Sequence, residues 1–126
     1  MTKLPDPNFF LLYVKDVSAS ATFYTELLGR PPVDSSPNFA MFALSSGVML
    51  GLWALHDVKP VAVATGGGGE VCITVTSVEE VEAVHSEWRG RGLTIIQPPT
   101  KMDFGFTFVG CDPDGHRLRV FVPAAS

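Results

Sequence analysis

The feature that most constrains the fold is an internal repeat. Placing Val14 on Val75 aligns VKDVSASATFYTELLG with VTSVEEVEAVHSEWRG, and placing Gly47 on Gly115 aligns GVMLGLW with GHRLRVF. The two copies are about sixty residues apart, which is the spacing of a repeated supersecondary unit. Neither copy is long enough to close a sheet alone, so we expect two similar modules that fold together.

The first copy has the pattern of a strand, a helix and three further strands. Phe9 to Val14 is an apolar run of strand length that is rich in aromatic residues. Ser18 is expected to cap a helix that runs to about Leu28, and Gly29 ends it. The other predicted strands of this copy lie near Val33 and over residues 39–44 and 48–55.

The second copy follows a glycine-rich linker at residues 56–69. Four consecutive glycines disfavour regular structure there, because ordering them costs much backbone entropy. Ser77 to Glu80 has the form of a capping box and opens a helix that Gly90 and Gly92 end. The predicted strands of this copy cover residues 70–75, 93–96, 104–110 and 117–122.

These patterns predict an α+β fold of one domain over residues 1–126, with βαβββ modules at about 8–55 and 70–122. An apolar content of 46% is enough to build its core. Strands with helices on one side are expected to form a mixed sheet that curls. Its concave side is then a groove that is free to bind a ligand.

Charge and cysteine usage narrow the classes of function. The net charge of -4 argues against a nucleic-acid surface, and the apolar runs are strand-sized, so neither a leader nor a membrane span is expected. Cys72 and Cys111 lie inside apolar runs without the spacing of a metal or disulfide pair. We therefore expect reduced core thiols in a cytoplasmic protein.

The last predicted strand has the pattern most suggestive of a ligand site. It follows a well-formed turn, Asp112 to Gly115, in which proline presets the backbone and glycine releases it. One face of the strand is aliphatic, and the opposite face carries Arg117, Arg119 and Phe121. An arginine-aromatic face on a strand with a buried side suggests the floor of a groove.

The motifs VKDVSASATFYTELLG and DPDGHRLRVF make the sequence resemble the vicinal oxygen chelate superfamily, which includes glyoxalase I, extradiol dioxygenases and bleomycin resistance proteins. Within it, LYVKDVSASATFY, SSGVMLGLW and DFGFTFVGCDPDGHRLRV are most similar to the phenazine antibiotic resistance proteins. The resemblance implies the glyoxalase/bleomycin resistance fold. It also implies a homodimer in which modules of both subunits complete each groove.

Metal-dependent members of this superfamily place ligands on the first and last strands of each module. The resemblance carries those positions to Phe9, Gly51, Glu70 and Arg119. Phenylalanine and glycine offer no donor, arginine repels a cation, and one carboxylate is too few ligands for a divalent ion. We therefore expect neither a metal nor another cofactor, with Glu70 and Arg119 pairing across the groove.

The same resemblance implies an aromatic lining for the groove. Trp53 is expected to stack on a ligand, Gly51 to leave space for a ring, and Arg119 to meet a carboxylate or a π face. Phe104 is expected at the rim. The predicted ligand contacts are Trp53, Arg119, Phe9, Met49, Gly51, Glu70, Phe121 and Phe104.

These expectations favour a metal-free binding protein of the antibiotic-resistance type, which sequesters a planar aromatic compound and performs no chemistry. One alternative is a lyase, isomerase or dioxygenase that uses Glu70 with His56 and an unusual metal. Another is a structural or regulatory dimer whose groove its own side chains fill. Trp53 alternatively belongs to the core, and Arg119 to a purely structural ion pair with Glu70.

Overall fold

The structure, a computed structural model, describes residues 3 and 5–125. The chain divides into two compact units between Thr65 and Gly66, inside the predicted linker. Hydrogen bonds join the strands into two four-stranded sheets, one in each unit. Each unit has the predicted βαβββ order, so the α+β fold of two modules with mixed sheets is confirmed.

The N-terminal unit is a mixed sheet with one helix. Its elements are β1 (Phe9–Val14), α1 (Val17–Leu28), β2 (Asp34–Ser36), β3 (Phe39–Ala43) and β4 (Met49–Ala54). The strand order is β1-β4-β3-β2, with β1 parallel to β4 and the other pairs antiparallel. The parallel pair aligns Leu11 with Gly51 and Tyr13 with Trp53.

The C-terminal unit repeats this topology. Its elements are β5 (Glu70–Thr74), α2 (Val78–Gly90), β6 (Ile95–Met102), β7 (Gly105–Cys111) and β8 (Arg117–Pro123). The order β5-β8-β7-β6 has one parallel pair, β5 with β8, in which Cys72 is aligned with Arg119. The repeat found in the sequence therefore corresponds to a repeated arrangement of strands.

The two helices begin at different kinds of cap. The Ser77 hydroxyl accepts a hydrogen bond from the Glu80 backbone N–H at 3.1 Å, which confirms the predicted cap of α2. For α1 the predicted cap at Ser18 is wrong. Asp16 is the cap, since its carboxylate accepts from the Ala19 N–H at 3.1 Å. Aspartate and serine cap helices equally well, so the sequence leaves this choice open.

Most strand ends lie close to their predicted positions, and the largest difference is in β6. The strand predicted over 93–96 extends as β6 to Met102, although it contains Pro98 and Pro99. Because β6 is an edge strand with register shifts between Ile95 and Thr100, its prolines need not donate to the ladder. In the N-terminal unit, Leu55–Asp57 is a short 3-10 turn instead of the end of a strand.

Each helix covers one face of the sheet in its own unit. In the N-terminal unit, Tyr24 of α1 packs near Phe42 with ring centroids 6.5 Å apart, and both residues are fully buried. In the C-terminal unit, Trp88 of α2 meets Phe108 edge to face at 5.1 Å. The opposite face of each sheet has no helix of its own unit against it. Across residues 3 and 5–125, no helix combines the length and apolar character needed to cross a bilayer.

The turn that leads into β8 is held by its own side chains. The buried Asp112 accepts hydrogen bonds from the backbone N–H groups of Asp114 and His116 at 2.9 and 2.8 Å. Its second oxygen lies 2.7 Å from His116 Nδ1, and Gly115 takes a φ of 84°. Gly66 packs its backbone directly against this turn, since a β-carbon on it would lie 2.5 Å from the Gly115 carbonyl.

Candidate functional site

The helix-free face of the N-terminal sheet is apolar and largely aromatic. Its side chains alternate along β1, β3 and β4 with those that pack on α1, and we call it the N-terminal open face. Its members on these three strands are Phe9, Leu11, Tyr13, Phe39, Met41, Ala43, Met49, Gly51 and Trp53. None of these nine is charged, and Phe9 and Leu11 are each 42% exposed. On the edge strand β2 the same face continues with Asp34 and Ser36, which pair with Met41 and Phe39. Such an exposed apolar surface is typical of a site that binds another molecule.

Gly51 lies beneath the side chains of its neighbours on this face. A β-carbon at Gly51 would lie 2.6 Å from Leu11 Cδ2, 2.9 Å from Phe9 Cε1 and 3.3 Å from Phe39 Cζ. The sequence predicted that glycine would leave this space for a ligand ring. In the structure the space is filled by side chains of the same sheet, so a ring placed there would have to displace them.

Trp53 lies on the N-terminal open face next to Tyr13. The two rings meet edge to face, with centroids 6.4 Å apart and planes at 75°. Trp53 is partly exposed, in contrast to Leu50 and Leu52 on the opposite face of β4, which are buried. The structure therefore places Trp53 outside the buried core.

The helix-free face of the C-terminal sheet is organised around Arg119, and we call it the C-terminal open face. Arg119 Nε and Nη2 donate to the two carboxylate oxygens of Glu70 at 2.8 and 3.0 Å. Its Nη1 donates to Gln97 Oε1 at 3.1 Å and to Thr107 Oγ1 at 3.3 Å. The guanidinium is thus fixed by three different strands.

The predicted Glu70–Arg119 pair is present, but its expected position across the groove is wrong. Glu70 lies on β5 and Arg119 on β8, and these strands are neighbours in one parallel pair. The two side chains therefore project from the same face of the same sheet. The resemblance identified both positions correctly, whereas the pairing of the strands decides which positions are adjacent.

An aromatic pair, Phe104 and Phe121, lies beside Arg119, with Phe104 next to the guanidinium. Phe104 and Phe121 meet edge to face at 5.9 Å, and Arg119 Cζ lies 5.5 Å from the Phe104 ring centroid. This distance is within the range of a cation–π contact. Phe104 remains 45% exposed, so the C-terminal open face presents one free aromatic surface beside its ion pair.

The ion pair sets the charge state of both partners. The hydrogen bond from Arg119 lowers the pKa of Glu70 against the opposing effect of burial, and the positive charges of Arg119 and Arg117 add to the lowering. The same hydrogen bond raises the pKa of Arg119. Burial raises the pKa of the nearby Cys72 thiol, with a further contribution from the Glu70 charge. At neutral pH, therefore, the pair is charged and the thiol is neutral.

The lowered pKa of Glu70 predicts a pH-dependent contribution to stability. Because the folded pKa lies below the ordinary value of 4.5, the carboxylate stabilises the fold above that pH. This contribution is lost as the pH falls through the folded pKa. We expect Glu70→Gln to lower the free energy of unfolding by about 1 kcal/mol at pH 7. Below about pH 4.5 we expect the difference from the wild type to become smaller. Urea unfolding of both proteins across this range measures the effect, and parallel curves would contradict it.

The residues at the positions of the family's metal ligands do not fit a divalent ion. Phe9 and Gly51 have no donor atoms, and both oxygens of Glu70 are bound by Arg119. Within the part of the chain that the structure describes, no three His, Cys, Asp or Glu side chains are grouped so as to hold a metal. A metal at these positions would have to break the ion pair first.

The structure gives each histidine a separate environment. His116 is buried in the turn against Asp112, which confirms the prediction of a turn residue. His85 packs edge to face on Phe108 at 5.2 Å, and burial lowers its pKa, as suits a packed side chain. His56 is exposed in the 3-10 turn at Leu55–Asp57.

Two contacts of the C-terminal open face were missed by the sequence reasoning. Thr107 lies on β7 opposite Phe121. Its position between Phe106 and Phe108 could have indicated that it faces the same side of the sheet as Phe121. Gln97 lies in the part of β6 that the sequence left without structure. Its approach to Arg119 depends on the register shifts of that strand, which no local pattern reveals.

Comparison with known proteins places this fold in a family. The model of the glyoxalase/bleomycin resistance protein/dioxygenase superfamily matches residues 7–120. The chain belongs to this superfamily. Similar superfamily members include the phenazine antibiotic resistance protein EhpR of Enterobacter agglomerans, which is 32% identical over 117 residues. That match covers 90% of this chain and 89% of EhpR.

Solved structures of similar proteins show the same fold. A protein of Agrobacterium tumefaciens, determined by solution NMR, is 46% identical with a TM-score of 0.90, covering 97% of this chain and 100% of its own. A glyoxalase-related enzyme from Fulvimarina pelagi is 25% identical with a TM-score of 0.82, covering 94% of this chain and 88% of its own. The glyoxalase fold that the resemblance implied is confirmed.

Proposed function

We propose that this superfamily member is a metal-free binding protein that sequesters a planar aromatic compound of phenazine-like shape and performs no reaction on it. The observation that carries the proposal is the N-terminal open face, whose aromatic side chains on β1, β3 and β4 include a partly exposed Trp53. The similarity to EhpR supports the class of ligand. Flat rings gain both buried area and ring–ring contact on such a surface.

The same face favours ligand binding rather than the alternative in which the protein's own side chains fill the groove. Phe9, Leu11 and Phe39 fill the space above Gly51, yet Phe9 and Leu11 each keep 42% of their surface exposed. Exposed apolar side chains of this size are covered favourably by a ligand, at about 25 cal/mol per Å² of apolar area. A ligand that rests on these side chains needs no empty cavity beneath it.

The test uses the two tryptophans of the chain, Trp53 and Trp88. A Trp88→Phe variant leaves Trp53 as the only indole. We expect phenazine to quench its fluorescence with saturation. We expect Trp53→Ala to weaken binding about tenfold, because a stacked aromatic pair contributes roughly 1 kcal/mol beyond its area. Affinity of the Trp53→Ala protein is measured by calorimetry, since it lacks the reporter.

Circular dichroism of each variant serves as the control for folding. Failure of phenazine and related tricyclic compounds to quench Trp53 would refute the proposal. So would a Trp53→Ala protein that binds them with unchanged affinity. An enzyme with an unusual metal makes a different prediction, a stoichiometric content of Ni, Zn, Fe or Mn in protein purified without chelators, and elemental analysis measures it.

We further propose that the protein acts as a homodimer in the cytoplasm. The dimer rests on the family resemblance, and the compartment on Cys72 and Cys111, which are both free thiols. The prediction that these thiols lie in the core is wrong, since Cys72 is exposed and Cys111 is partly exposed. Light scattering coupled to size exclusion is expected to give twice the monomer mass of 13.5 kDa. A monomer that binds aromatic compounds at full strength would contradict the dimer.

A further inference from the structure

Within the described residues, four strands lie at sheet edges, and three of them carry features that discourage pairing with a further strand. β2 has only three residues, all exposed, and begins with Asp34. β5 begins with Glu70, and β6 contains two prolines, a lysine and two register shifts. Shortness, charge, proline and irregular register are the usual means by which proteins protect a sheet edge.

β1 is the exception among these edge strands. Its six residues, Phe9 to Val14, include no charge and no proline, and they pair with β4 in unbroken register. On the other side of β1, no strand of the described chain is hydrogen-bonded to it. The backbone N–H and C=O groups of that side are therefore available to a further strand.

The first half of β1 is also exposed on both of its faces. Phe9 and Leu11, on the N-terminal open face, are each 42% exposed, and Phe10, on the opposite face, is 54% exposed. Phe10 is aligned with the buried Leu50, so the cover of that face ends between these two residues. We call Phe9 to Leu11, with their outer backbone groups, the β1 edge. Neighbouring large apolar side chains of this kind are typical of an interaction surface.

We propose that the β1 edge pairs with the β1 edge of a second copy of the chain. This inference rests on the homodimer proposed above and deepens it, because it assigns the surface through which the two copies meet. Each copy carries a net charge of -4, so two copies approach most favourably where neither is charged. The β1 edge is such a place, and a contact of this strand with itself sets no like charges opposite each other.

An antiparallel arrangement fixes how the two copies would meet. Residues that lie opposite each other in an antiparallel pair point to the same face of the sheet. A twofold axis at Phe10 meets this condition, because it sets Phe10 opposite Phe10 and Phe9 opposite Leu11. The exposed half of β1 is then the half that pairs. Since this axis is perpendicular to the sheet, the N-terminal open faces of both copies lie on one side and adjoin.

The first experiment measures oligomeric state by size exclusion coupled to light scattering. Phe10→Lys places a charge on the β1 edge and leaves the side chains of the N-terminal open face unchanged. We expect it to convert the dimer into a monomer, with the mass of 13.5 kDa. Val63→Lys is the matched control, since Val63 is 92% exposed in the linker, and it is expected to remain dimeric. Circular dichroism of both variants checks that they are folded.

Cysteine cross-linking tests the same contact without breaking the dimer. Phe10→Cys is made in a Cys72→Ser background, which removes the exposed native thiol. Directly opposite residues of an antiparallel pair have Cβ atoms about 4.5–5.5 Å apart, close enough for a disulfide after a small adjustment. Oxidised glutathione is expected to link the two copies. Val63→Cys in the same background is expected to remain unlinked.

The outcomes separate this inference from the proposals on which it rests. A monomeric wild type would refute the homodimer and the β1 contact together, and the Trp53 titration would still decide ligand binding. If the wild type is a dimer, a folded Phe10→Lys protein that stays dimeric, or a Phe10→Cys protein that does not cross-link, would overturn the β1 contact and leave the homodimer standing. A monomeric Val63→Lys protein would assign the effect to added charge and would also overturn it.

Discussion

Replacing Gly105 with alanine is expected to lower the free energy of unfolding by about 3 kcal/mol or more. Gly105 begins β7 with a φ of 149°, which a residue with a side chain rarely adopts. A β-carbon there would overlap the carbonyl oxygen of Val122 and lie 3.0 Å from the backbone of Pro123. Because both obstacles are backbone atoms of the paired strand, no change of rotamer relieves them.

Gly47→Ala is the matched control for this prediction. Gly47 also has a positive φ, 94°, but no described atom lies within 4 Å of a β-carbon built on it. Its replacement therefore adds backbone strain without overlap, at a cost of about 1 kcal/mol. Urea unfolding followed by circular dichroism measures both variants. Similar losses in the two would show that strain alone, and not the contact with β8, explains the effect.

Phe108→Ala is expected to cost about 4 kcal/mol of stability. Phe108 is completely buried on β7, and the rings of Trp88 and His85 meet it edge to face at 5.1 and 5.2 Å. Alanine would leave a cavity between the sheet and α2 that these large rings cannot collapse into without moving the helix. Thermal and urea unfolding measure the loss.

Phe104→Ala provides the contrast on the other side of the same sheet. Phe104 is 45% exposed, so its removal is expected to cost about 1 kcal/mol or less in stability. Because Phe104 is one of the predicted ligand contacts, its removal is expected to weaken binding of phenazine several-fold, whereas folded Phe108→Ala protein keeps its affinity. If Phe108→Ala abolished binding in the folded state and Phe104→Ala did not, the assignment of the two faces to core and ligand would be wrong.

The parts of the fold that the sequence predicted correctly are those that local patterns determine. The apolar run Phe9–Val14 is a strand with the predicted bounds, and the Ser77 cap opens α2. The parts that it missed depend on partners elsewhere in the chain. β6 continues past Pro98 because it is an edge strand that need not donate at every residue, and local propensity argues against a strand there.

The same division holds for the candidate site. Arg119 and Glu70 could be paired from the sequence because the resemblance assigns both positions to the groove, although it placed them on opposite sides of it. The sequence could not show that Gln97 and Thr107 would take up further donors of Arg119, since that depends on strand register. The ligand contacts of both open faces stay a prediction.

The close approach of Gly66 to the turn before β8 divides the glycine run into two kinds of position. A side chain at Gly66 would collide with the backbone of Gly115 and His116, whereas no described atom lies within 4 Å of a β-carbon at 67, 68 or 69. An epitope tag or a longer loop inserted at 67–69 should thus be accommodated. The same insertion moved to Gly66 would detach the start of β5 from its anchor.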